Sequence, residues 1–129
     1  MLKMKKMIQG LVVIVVMSLS ASCAESDDER LARPPKDSLE AASELEQAFA
    51  DADGATKKNA AVATQALREK KYEKAVASIM TIRNQDNLSF DQGMTVRNSM
   101  VTLQRELVNA AEDGDPRAER AIKILQGRP

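Results

Sequence analysis

The sequence has no histidine and no tryptophan, and only one of its 129 residues is a cysteine. Without histidine the chain lacks the commonest general base, and it can form neither a Ser-His triad nor a histidine metal site. Paired carboxylates are the simple catalytic option that remains. A single cysteine cannot form an internal disulfide. We therefore predict a protein that is not an enzyme and has no catalytic residue, metal ion or cofactor.

Aromatic residues are also scarce, since the chain contains only Phe49, Tyr72 and Phe90. The core must be built mainly from alanine, leucine, isoleucine, valine and methionine, so it is thin and its stability is modest. The glycines are scattered, and no glycine-rich phosphate loop occurs. Acidic residues around Gly54 and Gly114 suggest the start of a calcium loop, but the ligands needed at both ends of such a loop are missing. We interpret both glycines as helix ends.

The beginning of the chain contains the three parts of a secretory signal peptide. Three lysines form a basic start, an apolar run covers residues 8–17, and small residues lead to Cys23. The apolar run is roughly ten residues long, whereas a helix needs about 20 residues to cross the core of a bilayer. We therefore predict a signal peptide at residues 1–22 rather than a permanent transmembrane helix.

The small residues that end at Cys23 resemble the lipobox of bacterial lipoproteins, in which the cysteine is acylated and becomes the first mature residue. Ala21 and Ser22 match that motif, while its usual leucine lies one position further back, at Leu19. The resemblance implies a lipid-anchored protein of the bacterial envelope, held in the membrane by acyl chains such as palmitate. In enteric bacteria, an aspartate directly after the cysteine retains a lipoprotein in the inner membrane. Here that position is Ala24, so the resemblance favours the outer membrane, with the protein facing the periplasm. The alternative is an ordinary secretory signal cut after Ser22 or Ala24.

The mature chain is mildly acidic and begins with a polar segment. Removing residues 1–22 takes away three of the 19 basic residues and no acid, which leaves 16 basic and 19 acidic residues and a net charge of −3. Nucleic acids and anionic membrane surfaces favour clustered lysine and arginine, so we expect neither as the main partner. Residues 23–36 are highly charged and include Pro34 and Pro35, which is typical of a disordered tether.

The pattern from residue 37 to residue 126 is helical, without strand-like alternation. We predict an all-α domain, a small bundle of about five helices. The apolar stripes of the five helices are Leu39, Ala42, Leu45, Phe49 and Ala52; Val62, Ala63, Ala66 and Leu67; Tyr72, Ala75, Val76, Ile79 and Ile82; Val96, Met100, Leu103, Leu107 and Ala110; and Ala118, Ala121, Ile122 and Leu125.

Residues 56–86 can form one helix or two, because no glycine or proline divides them. In one continuous helix, the stripe that reaches Leu67 would continue onto Lys70, Lys71 and Lys74. Since three lysines are unsuited to a core, we predict two helices with a turn near Lys70.

The last two helices have clear start signals. Ser89 and Gln92 have the spacing of a capping box, which predicts the start of the longest helix at residues 90–112. Asp115 and Pro116 are suited to begin the final helix, because aspartate can cap a helix and proline fits its first position.

Residues 56–87 resemble part of a tetratricopeptide repeat, a helical hairpin that binds proteins. Tyr72, Ala75, Ile79 and Ile82 match the pattern, whereas an aromatic residue and a Leu-Gly pair expected in the first helix are missing. The resemblance implies repeat-like helical hairpins. A generic helical bundle is the alternative, since about three repeats are usually needed for stability and this chain has room for two.

These observations predict a lipid-anchored envelope protein that acts as a non-catalytic protein-interaction module, with an unknown envelope protein as its partner. Met80, Met94 and Val101 lie off the main stripes, and we expect them to line a partner groove, because methionine suits an adaptable surface. The alternative is that they complete the core. Two other functions stay open: a small hydrophobic-ligand carrier, which needs a cavity, and a carboxylate-only hydrolase, which needs two convergent acids in a cleft.

Overall fold

The computed structural model describes residues 27–128 and shows helices but no strand among them. The helices are α1 (Asp27–Ala32), α2 (Ser38–Ala48), α3 (Gly54–Arg68), α4 (Tyr72–Arg83), α5 (Phe90–Glu112) and α6 (Pro116–Leu125). The all-α class and the five helices predicted after residue 37 are confirmed. The predicted signal peptide and Cys23 lie outside the described residues.

Helices α2 to α5 form a closed ring of four. Helix α3 packs against α2 and α4, and α5 packs against α4 and α2. Helix α6 lies against both α4 and α5, and α1 lies against α5. In a stack of helical repeats, each unit contacts only its neighbours in the sequence. The contact between α2 and α5 bypasses the α3–α4 hairpin, which is the arrangement of a closed bundle.

Aspartates cap three of the helices. Asp37, Asp53 and Asp115 each accept a hydrogen bond from a backbone N–H in the first turn of α2, α3 and α6, respectively. The N–H of Thr56 lowers the pKa of Asp53, and the guanidinium of Arg117 lowers the pKa of Asp115. Both carboxylates are therefore charged at neutral pH, as the positive end of a helix dipole favours.

The predicted capping box at the start of α5 is confirmed. The N–H of Gln92 donates to Ser89 Oγ at 3.1 Å, and the N–H of Ser89 donates to Gln92 Oε1 at 3.0 Å. The same glutamine side chain donates through Nε2 to the carbonyl of Ala48 at 3.2 Å. The cap of α5 therefore also fastens this helix to the end of α2.

Two helices, as predicted, occupy residues 56–86, and α3 ends in a Schellman motif. The N–H of Lys70 donates to the Leu67 carbonyl at 3.3 Å, and the N–H of Lys71 donates to the Ala66 carbonyl at 2.9 Å. These two bonds satisfy carbonyls at the helix end. Lys70 has a φ of 52°, in the left-handed region that usually takes glycine.

Helices α2, α3, α4, α5 and α6 all contribute side chains to the core, which is rich in alanine. Its buried apolar residues are Ala41, Ala42, Leu45, Phe49, Ala60, Ala63, Ala66, Leu67, Tyr72, Ala75, Val76, Ile79, Ile82, Val96, Met100, Leu103, Leu107, Ala118 and Ala121. The stripe predicted for α4 is fully buried. Five residues of the other predicted stripes are half-buried: Ala52, Val62, Ala110, Ile122 and Leu125.

The prediction that Leu39 belongs to the core is wrong, because its side chain is 61% exposed. Two successive three-residue steps separate Leu39 from Leu45. At about 100° per residue, those steps turn Leu39 by roughly 120° from the direction of Leu45. Ala41 takes the core position instead, together with Ala42.

Residues 27–36 differ from the disordered tether predicted there, because they fold onto α5. Asn98 Nδ2 donates to the Leu31 carbonyl at 3.0 Å, and Thr102 Oγ1 donates to the Pro35 carbonyl at 2.6 Å. Pro35 is buried. Buried polar side chains require partners, and these carbonyls supply them. The pattern of apolar residues in the sequence could not predict this contact, because α5 contributes polar side chains to it, those of Asn98 and Thr102.

Leu103→Ala should lower the free energy of unfolding by about 2–5 kcal/mol, because it deletes a buried side chain and leaves a cavity. Leu39→Ala is the matched control and should change it by less than about 0.5 kcal/mol, since Leu39 lies at the surface. Urea unfolding monitored by circular dichroism measures both values. A Leu103→Ala variant as stable as the parent would exclude Leu103 from the core.

Lys70→Gly should raise the free energy of unfolding by about 0.5–1 kcal/mol. Relief of the left-handed strain gains about 1–2 kcal/mol, and the added freedom of the unfolded chain costs about 0.4–1 kcal/mol. Lys74→Gly, at an exposed position within α4, should instead destabilise by about 1 kcal/mol. The same urea titration compares them, and destabilisation by both glycines would refute the turn geometry.

Candidate functional site

The three residues predicted to line a partner groove lie on two helices. Met80, on α4, is half-buried and packs against the core. Met94 is half-buried and Val101 is 41% exposed, and both belong to α5. Since α6 contacts both α4 and α5, it occupies the groove that these two helices form on one side. A joint partner groove of the three residues stays a prediction.

A surface cleft of about 380 Å³ lies between the end of α2 and the length of α3. We call it the α2–α3 cleft. Its lining residues are Glu46, Phe49 and Ala50 on one side and Lys57, Ala60, Ala61, Thr64 and Arg68 on the other. The α3 residues recur at three- and four-residue steps, so they form one helix face roughly 16 Å long.

The floor of the cleft is made of small side chains beside one aromatic ring. Ala60 is 3% exposed and Phe49 is 1% exposed. Thr64, which is 5% exposed, lies between them and the Arg68 end. Small residues leave room for another chain to approach the backbone of α3. This site was not predicted, because the alanines and the threonine carry no distinctive sequence signal.

The hydroxyl of Thr64 is buried and has no hydrogen-bond partner. Buried polar atoms are nearly always paired, and an unpaired one costs about 1–3 kcal/mol. Among the described residues, Ser99 Oγ is the other buried side-chain oxygen in this condition, but it lies on α5. Thr64 lines the α2–α3 cleft, but its hydroxyl oxygen is itself buried, so the cleft offers a ligand its small-residue floor and its charges rather than this hydroxyl.

Charged residues stand at both ends of the cleft. Lys57 lies at one end and Arg68 at the other, where Arg68 Nη2 pairs with Glu46 Oε2 at 2.5 Å. All three side chains are exposed, and an exposed ion pair contributes at most about 1 kcal/mol. The pair can therefore open for a ligand at low cost. Two cations and one carboxylate give the cleft a positive balance, which favours an acidic ligand group.

Within residues 27–128, the described part of the chain, two kinds of functional element are absent. No helix there is long and apolar enough to cross a membrane. No group of three or more acidic, cysteine or histidine residues in that range is placed to hold a metal ion.

Comparison with protein-family models, curated protein sequences and solved structures found no match to this chain.

Thr64→Val should leave the free energy of unfolding unchanged or raise it by up to about 1 kcal/mol, because it removes a hydroxyl that has no partner. Thr102→Val, which deletes the hydroxyl bonded to the Pro35 carbonyl, should lower it by about 1–2 kcal/mol. Urea unfolding of the two variants measures the difference. Equal losses in both would show that the Thr64 hydroxyl is already paired.

Proposed function

We propose that the protein is a lipid-anchored envelope protein that acts as a non-catalytic interaction module, with the α2–α3 cleft as its partner site. The observation that carries the choice of site is the floor of small side chains between two cations. This combination fits an extended segment of another envelope protein that carries an acidic residue.

The anchor is supported by the order of the first 23 residues, which ends in small residues and Cys23. A single long acyl chain binds a membrane only marginally, so a stable anchor needs more than one chain. The lipoprotein resemblance supplies several chains on one cysteine. It also favours the outer membrane, with the helical domain in the periplasm.

The dimensions of the cleft support a short peptide as its occupant. An extended strand rises about 3.3 Å per residue, so roughly five residues fit along the 16 Å face of α3. Such a segment can pack against the small side chains of the floor. An acidic side chain of the same segment can pair with Lys57 or replace Glu46 at Arg68.

A small hydrophobic-ligand carrier is the second candidate, because a volume of about 380 Å³ is large enough for a small molecule. Five of the eight lining residues are exposed, however. Small-molecule sites usually bury most of their ligand, so an open cleft favours a peptide segment. A carboxylate-only hydrolase has less support here, since Glu46 is the one acid that lines the cleft.

Blocking the cleft without disturbing the core tests the proposal. Ala61 is exposed and lines the cleft, so Ala61→Trp should fill it while the bundle stays folded. The control is Ala77→Trp, because Ala77 is also exposed but belongs to α4. Each variant is purified from detergent-solubilised membranes with its bound partners. Native mass spectrometry then identifies what each variant retains.

We expect the parent and Ala77→Trp to retain the same protein partner and Ala61→Trp to lose at least about nine-tenths of it, the equivalent of about 1.4 kcal/mol. Circular dichroism should show the same helix content in all three. A partner retained by Ala61→Trp would contradict the site. A small molecule of constant mass, lost only in Ala61→Trp, would establish the carrier instead.

A further inference from the structure

The outer face of α5 carries a second apolar row, separate from the core stripe. Phe90 is 78% exposed, Val101 is 41% exposed and Val108 is 50% exposed. Met94, which is half-buried, lies between Phe90 and Val101 in the sequence. We call these four residues the α5 outer face. At about 100° per residue, their directions fall within roughly 40° of one another. Three of the four large exposed apolar side chains in the described residues lie here; Leu39 is the fourth.

Basic residues accompany this row. Arg97 and Arg105 are both exposed, and the helix period places them on either side of the direction of Val101. Of the three acids of α5, Asp91 and Glu112 stand near its two ends, and Glu106 accepts a hydrogen bond from the N–H of Ser38. Apolar side chains mixed with arginine are typical of a helix that lies in a membrane interface.

The N-terminal segment is fastened to the same helix, close to the α5 outer face. Besides the bonds at Leu31 and Pro35 described above, Arg105 Nη2 donates to the Pro35 carbonyl at 3.2 Å and the Lys36 carbonyl at 2.8 Å. The helix period puts Asn98 and Thr102 roughly a quarter-turn from Val101. The chain therefore leaves the domain beside the α5 outer face.

The distance from this segment to the proposed anchor is short. Four residue steps separate Cys23 from Asp27, where α1 begins. Even fully extended, four steps span at most about 14 Å. An acylated Cys23 therefore keeps α5 next to the lipid, and this closeness raises the effective concentration of any apolar contact.

We infer that the α5 outer face rests on the lipid surface to which Cys23 is anchored. The inference relies on the lipid anchor of the proposed function. The mature charge of −3 provides little general attraction to anionic lipid, so the contact depends on the apolar side chains and the tether. Helix α3 is the member of the ring that does not touch α5. The α2–α3 cleft then faces away from the membrane, where a partner can reach it.

The absence of tryptophan from the chain permits a direct test, because one introduced indole is the only one present. Phe90→Trp places it on the α5 outer face, and Leu39→Trp is the control at a similarly exposed site on α2. The full-length lipidated variants are reconstituted in vesicles of phosphatidylethanolamine and phosphatidylglycerol with brominated acyl chains. Vesicle flotation reports the anchor, and bromine quenching reports contact of the indole with lipid.

We expect both variants to float, with Phe90→Trp fluorescence quenched at least about twofold and shifted to the blue, and Leu39→Trp unchanged. Adding Val101→Asp to Phe90→Trp should remove most of the quenching without loss of flotation. Floating protein with no quenching, or with equal quenching at both sites, would overturn the inference while the anchor stands. Failure to float would overturn both.

Discussion

A core in which eight of the 19 buried apolar residues are alanine lets the helices approach closely, and the arrangement of the whole bundle depends on that closeness. Alanine buries little apolar area, so each contact contributes little by itself. Helix α5 supplies four of the eleven larger buried apolar side chains: Val96, Met100, Leu103 and Leu107. Because α5 is the helix in contact with α1, α2, α4 and α6, loss of its stripe would loosen most of the domain at once.

The same helix connects stability with orientation. Its inner face builds the core, its polar side chains hold residues 31–36, and its outer face carries the exposed apolar row. With the proposed anchor four residues before α1, the domain is attached almost directly rather than by a long flexible tether. In the proposed orientation, helix α3 lies on the far side of the ring and presents the α2–α3 cleft to the periplasm. Anchoring and partner binding are thus assigned to opposite sides of one small bundle.

Local rules explain which parts of this structure could be predicted from the sequence. The turn at Lys70 and the capping box at Ser89 follow from residues within one helical turn, and both are confirmed. The prediction that Leu39 lies in the core is wrong, because the two three-residue steps from Leu39 to Leu45 turn its side chain roughly 120° away from the direction of Leu45. The contact of Thr102 with Pro35 and the unpaired hydroxyl of Thr64 could not be predicted from the sequence. Both depend on which groups the fold places around these two side chains.

The proposed lipid anchor is tested most directly by the intact mass of the mature chain, extracted from the membranes of a bacterium that processes lipoproteins. A lipid-anchored protein should yield a chain that begins at Cys23 and carries the mass of several acyl chains, whereas Cys23→Ser should accumulate as the unprocessed precursor or leave the membrane fraction. An unmodified Cys23, or a mature chain that begins after this residue, would contradict the anchor and the orientation derived from it.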